Sequence, residues 1–288
     1  MPSKILLQLD ADDYASSFDA VVAYDAGVEH LLTYAGVHTE CVTPLVHGAM
    51  FTRGGDKLRH TAIFVGGSNV DQAEAILRQV QSCFFGPVRV SVMLDANGCN
   101  TTAAAAVVNA AREVELRGTK AVVLGATGPV GRRVTQLLAH DGANVIATSR
   151  SLEKATRACE HIRGTSPSGT VEPACTKDGN AMGRILDGAS ILIACGAAGV
   201  QLIDKETLRK CQSLKVAIDL NAVPPTGIEG IEVTNRATKL GDVVTYGAIG
   251  VGSLKMKTHK AAIKSLFETN DRVLDFAEIY QIAQSVAT

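Results

Sequence analysis

The chain has 288 residues, of which 46% are hydrophobic and 20% charged, and its formal net charge at pH 7 is −1. This length is enough for two domains of ordinary size, and the composition is that of a globular protein rather than a disordered one. A charge so near zero gives no general attraction to nucleic acid or to an anionic membrane. The absence of Trp and the 4% aromatic content also argue against a stacking platform for single-stranded nucleic acid.

The seven cysteines include no CxxC pair. Their odd number and their spacing argue against a disulfide framework and against a zinc site, so no metal is expected. Reduced thiols are typical of cytosolic proteins. The opening MPSKILLQLDADD predicts a first strand rather than a signal peptide, and no apolar run is long enough to cross a bilayer. The sequence therefore predicts a cytoplasmic protein with neither nucleic acid nor a membrane as partner.

Strand-like runs alternate with helical patterns along most of the chain. The first third predicts strands at 4–10, 61–67 and 87–94, and helices at 70–84 and 101–115, the second capped by Asn100 or Thr101. A second series predicts strands at 120–126, 144–149, 191–198 and 215–221, and helices at 129–142 and 151–163. Residues 164–174 are expected to form a turn-rich crossover, and the last 35 residues to be helical. Such alternation predicts parallel sheets covered on both faces.

The predicted fold class is therefore α/β with two domains. Residues 1–115, with C-terminal helices at about 265–288, would form an α/β substrate domain. Residues 116–264 would form a Rossmann-type domain with a parallel sheet that binds the cofactor.

The segment VVLGATGPVG (122–131) follows a predicted strand and opens a predicted helix. Its glycines allow a tight turn, and the start of a helix favours anions, so the segment is expected to hold a dinucleotide pyrophosphate. The spacing is GxxGxxG rather than GxGxxG, and a strand-to-helix turn without a ligand is the alternative. The residues predicted to contact the cofactor here are Gly125, Thr127, Gly128, Pro129, Val130 and Gly131.

The end of the next strand indicates which dinucleotide is bound. A carboxylate at this point would favour NAD, whereas the chain has Ser149, Arg150, Ser151 and Lys154. A guanidinium and hydroxyl groups suit a 2′-phosphate, which predicts NADP as the cofactor. The alternative is that Arg150 is an ordinary solvated charge.

Two later loops also follow strands of the same predicted sheet. CGAAGV (195–200) contributes Gly196 and Ala197, and DLNAVPP (219–225) contributes Asn221. Ligands of open α/β sheets bind over the carboxyl ends of the strands, so these residues are expected to flank the nicotinamide. Simple turn formation by the glycines is the alternative.

Polar residues near the first domain's predicted strands are candidates for binding a substrate. Asn97, Asn100, Thr101 and Thr102 follow an apolar strand, although turn and helix-cap roles explain the same residue types. Asp19 and Asp25 are two acids in SSFDAVVAYDAG that would face a cationic intermediate or cap a helix.

One lysine of the segment GVGSLKMKTHKAAIKSLFE (250–268) differs from its neighbours. At about 100° per residue, Lys255 falls within the apolar arc of a helix, whereas Lys257, Lys260 and Lys264 lie on the opposite side. Lys255 is therefore the candidate catalytic residue, with a snorkelling structural lysine as the alternative. His259 on the same segment is expected to be structural or exposed.

Several motifs resemble those of the NADP-dependent methylene-tetrahydromethanopterin dehydrogenases of methylotrophic bacteria, some of which also act on methylene-tetrahydrofolate. The resemblance covers nearly the whole chain, and FFGP, NGxNTT and NAxPPxGIxGI are more specific than a glycine loop. The family's loop is usually AGTGPVG, and the GATGPVG of this chain changes only the first turn. The matching segments are YDAG (24–27), FTRGG (51–55), TAIFVGG (61–67), FFGPVRVSVMLDANGCNTTAAAA (84–106), KAVVLGATGPVG (120–131), NAVPPTGIEGI (221–231) and GVGSLKMKTHKA (250–261).

The resemblance implies hydride transfer from the methylene carbon of a tetrahydropterin to NADP⁺, leaving a methenyl cation. Catalysis would then rest mostly on positioning and electrostatics. The family's implicated lysine matches Lys255, with a role in orienting or tuning the pterin. The resemblance also implies a pterin site in a cleft between the domains, and a homo-oligomer, often a trimer.

Two other functions are alternatives to this one. A reductase of the shikimate-dehydrogenase type would need a lysine–aspartate pair in the first domain, and Lys57 with Asp56 or Asp71 lacks convincing spacing. A catalytically silent NADP-sensing protein would bind NADPH without turnover. The intact NGCNTT stretch and Lys255 argue against the second alternative.

Overall fold

The computed structural model describes residues 2–165, 168–177 and 181–287. Strands and helices alternate along these residues, as predicted for an α/β fold. The strands are β1 (Ile5–Asp10), β2 (His30–Tyr34), β3 (Thr61–Gly66), β4 (Ser91–Leu94), β5 (Lys120–Leu124), β6 (Asn144–Ser149), β7 (Thr170–Cys175), β8 (Ile191–Ala194), β9 (Val216–Asp219), β10 (Thr238–Leu240), β11 (Val243–Tyr246) and β12 (Val273–Leu274). The helices are α1 (Ser17–Asp25), α2 (Thr39–Phe51), α3 (Val70–Ser82), α4 (Cys99–Glu113), α5 (Pro129–His140), α6 (Leu152–Arg163), α7 (Ala181–Leu186), α8 (Lys205–Lys210), α9 (Ala248–Ser265) and α10 (Phe276–Ala287).

The chain divides into two compact units. The first comprises Met1–Thr101 and Met256–Thr288, and the second comprises Thr102–Lys255. Both divisions fall inside a helix, α4 or α9. The sequence-based limits at 115/116 and 264/265 lie near the C-terminal ends of the same two helices, and they stay predictions.

The first unit is built on a five-stranded sheet in the order β12-β4-β3-β1-β2, and all its neighbouring strands are parallel. Every residue of β3 and β4 is buried, as expected for central strands with both faces covered. Asp10 of β1 pairs in register with Gly66 of β3, and Val65 pairs with Leu94 of β4. The carboxyl ends of these three strands therefore meet at one edge of the sheet.

The second unit is built on a seven-stranded sheet in the order β10-β11-β9-β8-β5-β6-β7, parallel except for the β10–β11 pair. From β5 the chain runs outward to β6 and β7, and it then returns to β8 on the other side of β5. One apolar cluster packs Val122 and Leu192 of the sheet against Leu186 and Leu208 of helices. The order reverses between β5 and β8, which is the place where open α/β sheets bind ligands.

Three expectations from the sequence need correction. The segment 164–174 is not entirely a turn-rich crossover, because Thr170–Cys175 forms β7 and pairs along its length with β6, while Ser166 and Pro167 lie outside the described residues. The last 35 residues are not helical throughout: α9 ends at Ser265, and β12 adds an edge strand to the first sheet before α10. Helix α4 begins at Cys99, so Asn100 and Thr101 lie in its first turn rather than at its cap.

Within the described ranges, none of the helices is both long and apolar enough to cross a membrane.

Candidate functional site

A cavity of about 610 Å³ opens at the carboxyl ends of the strands where the second sheet reverses its order. Nine residues predicted to contact the cofactor line it, whereas Pro129, Val130, Gly131 and Asn221 are not among its lining residues. We call it the dinucleotide cavity, and its lining residues are Leu124, Gly125, Thr127, Gly128, Thr148, Ser149, Arg150, Ser151, Lys154, Thr176, Met182, Cys195, Gly196, Ala197, Val200, Gln201 and Leu202.

The turn between β5 and α5 requires glycine for steric reasons. Gly125 has φ +72°, and a Cβ at this position would lie 2.8 Å from the carbonyl oxygen of Cys195. A Cβ on Gly131 would lie 2.8 Å from Ala126 Cα. Gly128 precedes α5 and accepts a hydrogen bond from the Arg132 N–H at 2.9 Å, so the helix starts directly at the loop.

This turn fits a pyrophosphate. The first N–H groups of a helix lack partners within the helix, and its dipole favours negative charge at that end. Because the glycines leave the turn without side chains, a phosphate group can approach the backbone closely.

The segment after β6 brings two cations and two hydroxyls to the cavity. Ser149 Oγ accepts a hydrogen bond from the Ser151 N–H, and Ser151 Oγ accepts one from the Lys154 N–H, each at 3.3 Å, the second of which caps α6. Arg150 and Lys154 are exposed, and neither forms an ion pair with any of the described residues. The end of β6 is therefore positively charged and rich in donors.

Two acidic groups lie at the ends of neighbouring strands: Asp219 is the last residue of β9 and is buried, and Cys195 directly follows β8 and is half-buried. Asp219 accepts backbone N–H groups from Asn221 at 3.0 Å and Ile228 at 2.8 Å. Burial raises the pKa of Asp219, and the backbone hydrogen bonds oppose that shift. Burial, and secondly the neighbouring Asp219, raise the pKa of the Cys195 thiol well above its usual range. A raised pKa disfavours the thiolate, which is the nucleophilic form of cysteine.

Asn221 connects the two loops that follow β8 and β9. Its side-chain oxygen accepts the Val223 N–H at 3.0 Å, and its amide nitrogen donates to the carbonyls of Ala197 at 3.4 Å and Pro225 at 3.2 Å. The side chain is 5% exposed. In this arrangement Asn221 fixes the position of Ala197 in the cavity wall.

In the first unit, Asp95 organises the start of α4. Its carboxylate accepts the N–H groups of Asn100 and Thr101, at 2.9 and 3.1 Å, and the Thr101 hydroxyl at 2.6 Å. Asn100 donates its amide to the Leu94 carbonyl at 2.7 Å and to Asp275 Oδ1 at 3.1 Å. All three side chains, of Asp95, Asn100 and Thr101, are fully buried. Their hydrogen bonds stabilise the turn between β4 and α4.

The other polar candidates differ in exposure. Asn97 is exposed and has φ +53°, a left-handed conformation that asparagine tolerates well, and its N–H donates to the Gly67 carbonyl at 2.7 Å. Thr102 is half-buried, in the first turn of α4. Asp25 is exposed and ion-paired with Lys260 Nζ at 2.7 Å, so it lies in a surface pair.

His259 of α9 lies between two carboxylates of the first unit. Its Nε2 is 3.9 Å from Asp19 Oδ1 and its Nδ1 is 3.9 Å from Asp95 Oδ2, while its ring stacks on Phe64 with centroids 5.7 Å apart. The histidine and Asp95 are wholly buried, but the Asp19 side chain keeps 13% of its surface exposed. We call Asp19, Asp95 and His259 the acid–histidine cluster, and Asp19 is its accessible member.

Lys255 lies one helical turn before His259 on α9 and is half-buried. Its neighbours Val251, Leu254 and Thr258 are buried, as the helical phase predicts. Lys257 is exposed on the same helix. The sequence suggests Lys255 and Asp19 as site residues, and both stay predictions; it does not suggest Asp95 or Phe64. Of the two expectations for His259, structural or exposed, the exposed one is wrong, because the side chain is wholly buried. The sequence feature that could have indicated Asp95 is its position directly after the apolar strand β4.

The chain is similar in sequence to a known protein family and to two full-length relatives. The family profile described as "Methylene-tetrahydromethanopterin dehydrogenase, N-terminal" matches residues 17–97. The chain is 41% identical over 289 residues to the "Bifunctional protein MdtA" of Methylorubrum extorquens, and 100% of each chain is covered. It is 30% identical over 299 residues to the "NAD(P)-dependent methylenetetrahydromethanopterin dehydrogenase" of the same organism, again with 100% of each chain covered.

Among solved structures, the shikimate 5-dehydrogenase of Listeria monocytogenes in complex with shikimate and NAD has a similar fold. Its TM-score is 0.56 at 13% identity, covering 97% of this chain and 96% of that chain, a likeness that concerns the fold alone. The two relatives that match over their full length, in contrast, show the family. The chain belongs to the methylene-tetrahydromethanopterin dehydrogenase family.

Proposed function

We propose that this protein is an NADP-dependent dehydrogenase that oxidises the methylene group of 5,10-methylene-tetrahydromethanopterin to methenyl, in one-carbon and formaldehyde oxidation. The observation that carries this proposal is the similarity over the full length to a relative named as a dehydrogenase of that substrate. We extend the proposal to methylene-tetrahydrofolate as a second substrate.

The dinucleotide cavity supports the choice of cofactor. The glycine turn at Gly125 and the start of α5 would hold the pyrophosphate, with Thr127, Gly128, Pro129, Val130 and Gly131 forming that segment. Ser149, Arg150, Ser151 and Lys154 would hold a 2′-phosphate, because a guanidinium pairs well with phosphate and hydroxyls donate to it. Gly196 and Ala197 would flank the nicotinamide ring, with Asn221 holding the Ala197 loop.

Bound NADP⁺ would supply the acceptor for a hydride that leaves the methylene carbon. The pterin would then be a methenyl cation, with positive charge shared between two nitrogens and the carbon between them. A fixed carboxylate near that charge stabilises it more than water does, because it needs no reorganisation during the reaction. In the acid–histidine cluster, Asp19 is the accessible carboxylate, and we assign it this role.

Lys255 is assigned to orienting the pterin, because it is the lysine of α9 that is half-buried on the apolar face. Asn97 and Thr102 are the remaining predicted polar residues that are not fully buried, and we propose that they hydrogen-bond the pterin. Asn100 and Thr101 would support substrate binding indirectly, by holding the strand-to-helix turn. Asp25 would support substrate binding through its ion pair with Lys260.

Initial rates on a two-by-two grid test this function. The grid pairs methylene-tetrahydromethanopterin or methylene-tetrahydrofolate with NADP⁺ or NAD⁺. We expect turnover with the methanopterin substrate and a higher kcat/KM with NADP⁺ than with NAD⁺. No turnover with either pterin would overturn the proposed function, and turnover restricted to the folate substrate would move the proposal to that substrate.

A further inference from the structure

The carboxyl end of β7 reaches the same part of the dinucleotide cavity as the Ser149–Lys154 segment. Thr176 directly follows β7 and lines the cavity beside Ser149, Arg150 and Lys154. Its N–H donates to the Ser149 carbonyl at 3.0 Å, which extends the β6–β7 pairing by one residue. A threonine that sequence analysis did not select therefore lies at the wall assigned to the cofactor's 2′-phosphate.

The pairing of the two strands fixes where this hydroxyl lies along the cofactor. Ser149 pairs with Cys175, so the next position of β7, Thr176, lies alongside Arg150 at about one strand spacing of 4.8 Å. Gly125 follows β5, two strands away, at about 9.6 Å by the same spacing. Thr176 is therefore much nearer to the predicted 2′-phosphate residues than to the predicted pyrophosphate turn.

The same strand end also positions Arg150. Cys175 Sγ donates to the Arg150 carbonyl at 3.5 Å, so the peptides on both sides of this residue contact β7. The Thr176 side chain is half-buried, and its hydroxyl makes no hydrogen bond with another residue in the described part of the chain. Within those residues, nothing takes up the proton of this cavity-lining hydroxyl group.

We propose that Thr176 is a specificity-determining residue, whose hydroxyl donates to the 2′-phosphate of NADP alongside Ser149, Arg150, Ser151 and Lys154. This inference rests on the proposed function. A phosphate monoester has three terminal oxygens, and each accepts more than one hydrogen bond. The β6–α6 segment approaches the group from one side, and Thr176 supplies a donor from the neighbouring strand.

Binding of two small probes tests this role without turnover. Adenosine 2′,5′-bisphosphate and adenosine 5′-monophosphate share the adenine, the ribose and the 5′-phosphate, and only the first carries a 2′-phosphate. Calorimetric Kd values are measured for wild-type protein and for Thr176→Val, Thr176→Ser and Thr170→Val. Thr170 is the control because it lies at the other end of β7, where its hydroxyl donates to Asn144 Oδ1.

For Thr176→Val we expect the bisphosphate to bind about tenfold more weakly, as is typical for loss of a hydrogen bond to a charged group. The monophosphate should bind as to wild type, and Thr176→Ser and Thr170→Val should keep wild-type affinity for both probes. Unchanged bisphosphate affinity in Thr176→Val would overturn the proposal, and so would equal weakening of both probes. If wild-type protein binds both probes equally well, the assignment of NADP as the cofactor fails together with the role of Thr176. If wild-type protein prefers the bisphosphate and Thr176→Val keeps that preference, only the role of Thr176 fails.

Discussion

The Thr101 hydroxyl donates a 2.6 Å hydrogen bond to Asp95 Oδ2, and both side chains are fully buried. The bond joins the end of β4 to the first turn of α4. It therefore fixes the carboxylate that lies 3.9 Å from His259. A residue that the sequence suggests as a substrate ligand thus has a structural partner of its own.

Thr101→Val should destabilise the protein, because it keeps the shape of the side chain but removes one donor from a buried carboxylate. A hydrogen bond to a charged group contributes about 1.5–3 kcal/mol, and we expect a loss of that order in the free energy of unfolding. Urea denaturation measures it, with Thr102→Val as the control in the neighbouring, half-buried position. Equal, small effects of both changes would show that the Asp95 contact contributes little.

Gly131→Ala should weaken NADP⁺ binding at least tenfold. Its Cβ would lie 2.8 Å from Ala126 Cα, so the first turn of α5 must move away from the glycine loop. Gly183→Ala is the matched control, since that glycine is exposed on α7 and a Cβ there meets nothing within 4 Å. Fluorescence titration with NADPH gives both affinities. A Gly131→Ala protein with wild-type affinity would mean that the pyrophosphate binds elsewhere.

Arg150→Ala should raise the KM for NADP⁺ by about ten- to a hundredfold and leave the KM for NAD⁺ nearly unchanged. The reason is that a guanidinium–phosphate pair is a strong, charge-assisted contact that NAD⁺ cannot form. Arg157→Ala removes an arginine of the adjacent helix α6 that is ion-paired with Glu153 and serves as the control. An equal change in both KM values would contradict the 2′-phosphate role.

Lys255→Ala should reduce kcat while leaving the Kd for NADP⁺ within about threefold of wild type, since it removes an interaction with the pterin rather than with the cofactor. Lys257→Ala changes an exposed lysine of the same helix and controls for charge. Steady-state kinetics with a parallel NADPH titration separates the two effects. Wild-type kinetics in Lys255→Ala would remove this residue from the site.

Local pattern was enough to predict much of the second unit. The glycine loop, β5, α5 and β6 lie close to where the sequence indicates them, because their turn and helix-start signals are contained within a few residues. β7 was missed because the turn residues of 164–169 dominate its surroundings, and only pairing with β6 makes Thr170–Cys175 a strand. Thr176 was missed for the same reason.

The acid–histidine cluster could not be predicted in the same way. Asp19, Asp95 and His259 come from distant parts of the chain. His259 is brought to the two carboxylates only by the packing, within the first unit, of the part of α9 that begins at Met256. Helical phase selected Lys255 correctly as a residue of the apolar face, but the same pattern does not distinguish a buried histidine from an exposed one. Asn100 and Thr101 were selected by residue type, which is shared by ligands and by turn-forming residues.

In the proposed reaction, a hydride passes directly from the methylene carbon to NADP⁺. The most direct measurement is mass spectrometry of the NADPH formed from methylene-tetrahydromethanopterin that carries two deuterium atoms on that carbon. In ordinary water we predict one deuterium in each NADPH, and with unlabelled substrate in D₂O we predict none. NADPH that lacks deuterium in the first experiment, or gains it from D₂O in the second, would contradict direct hydride transfer from the methylene carbon.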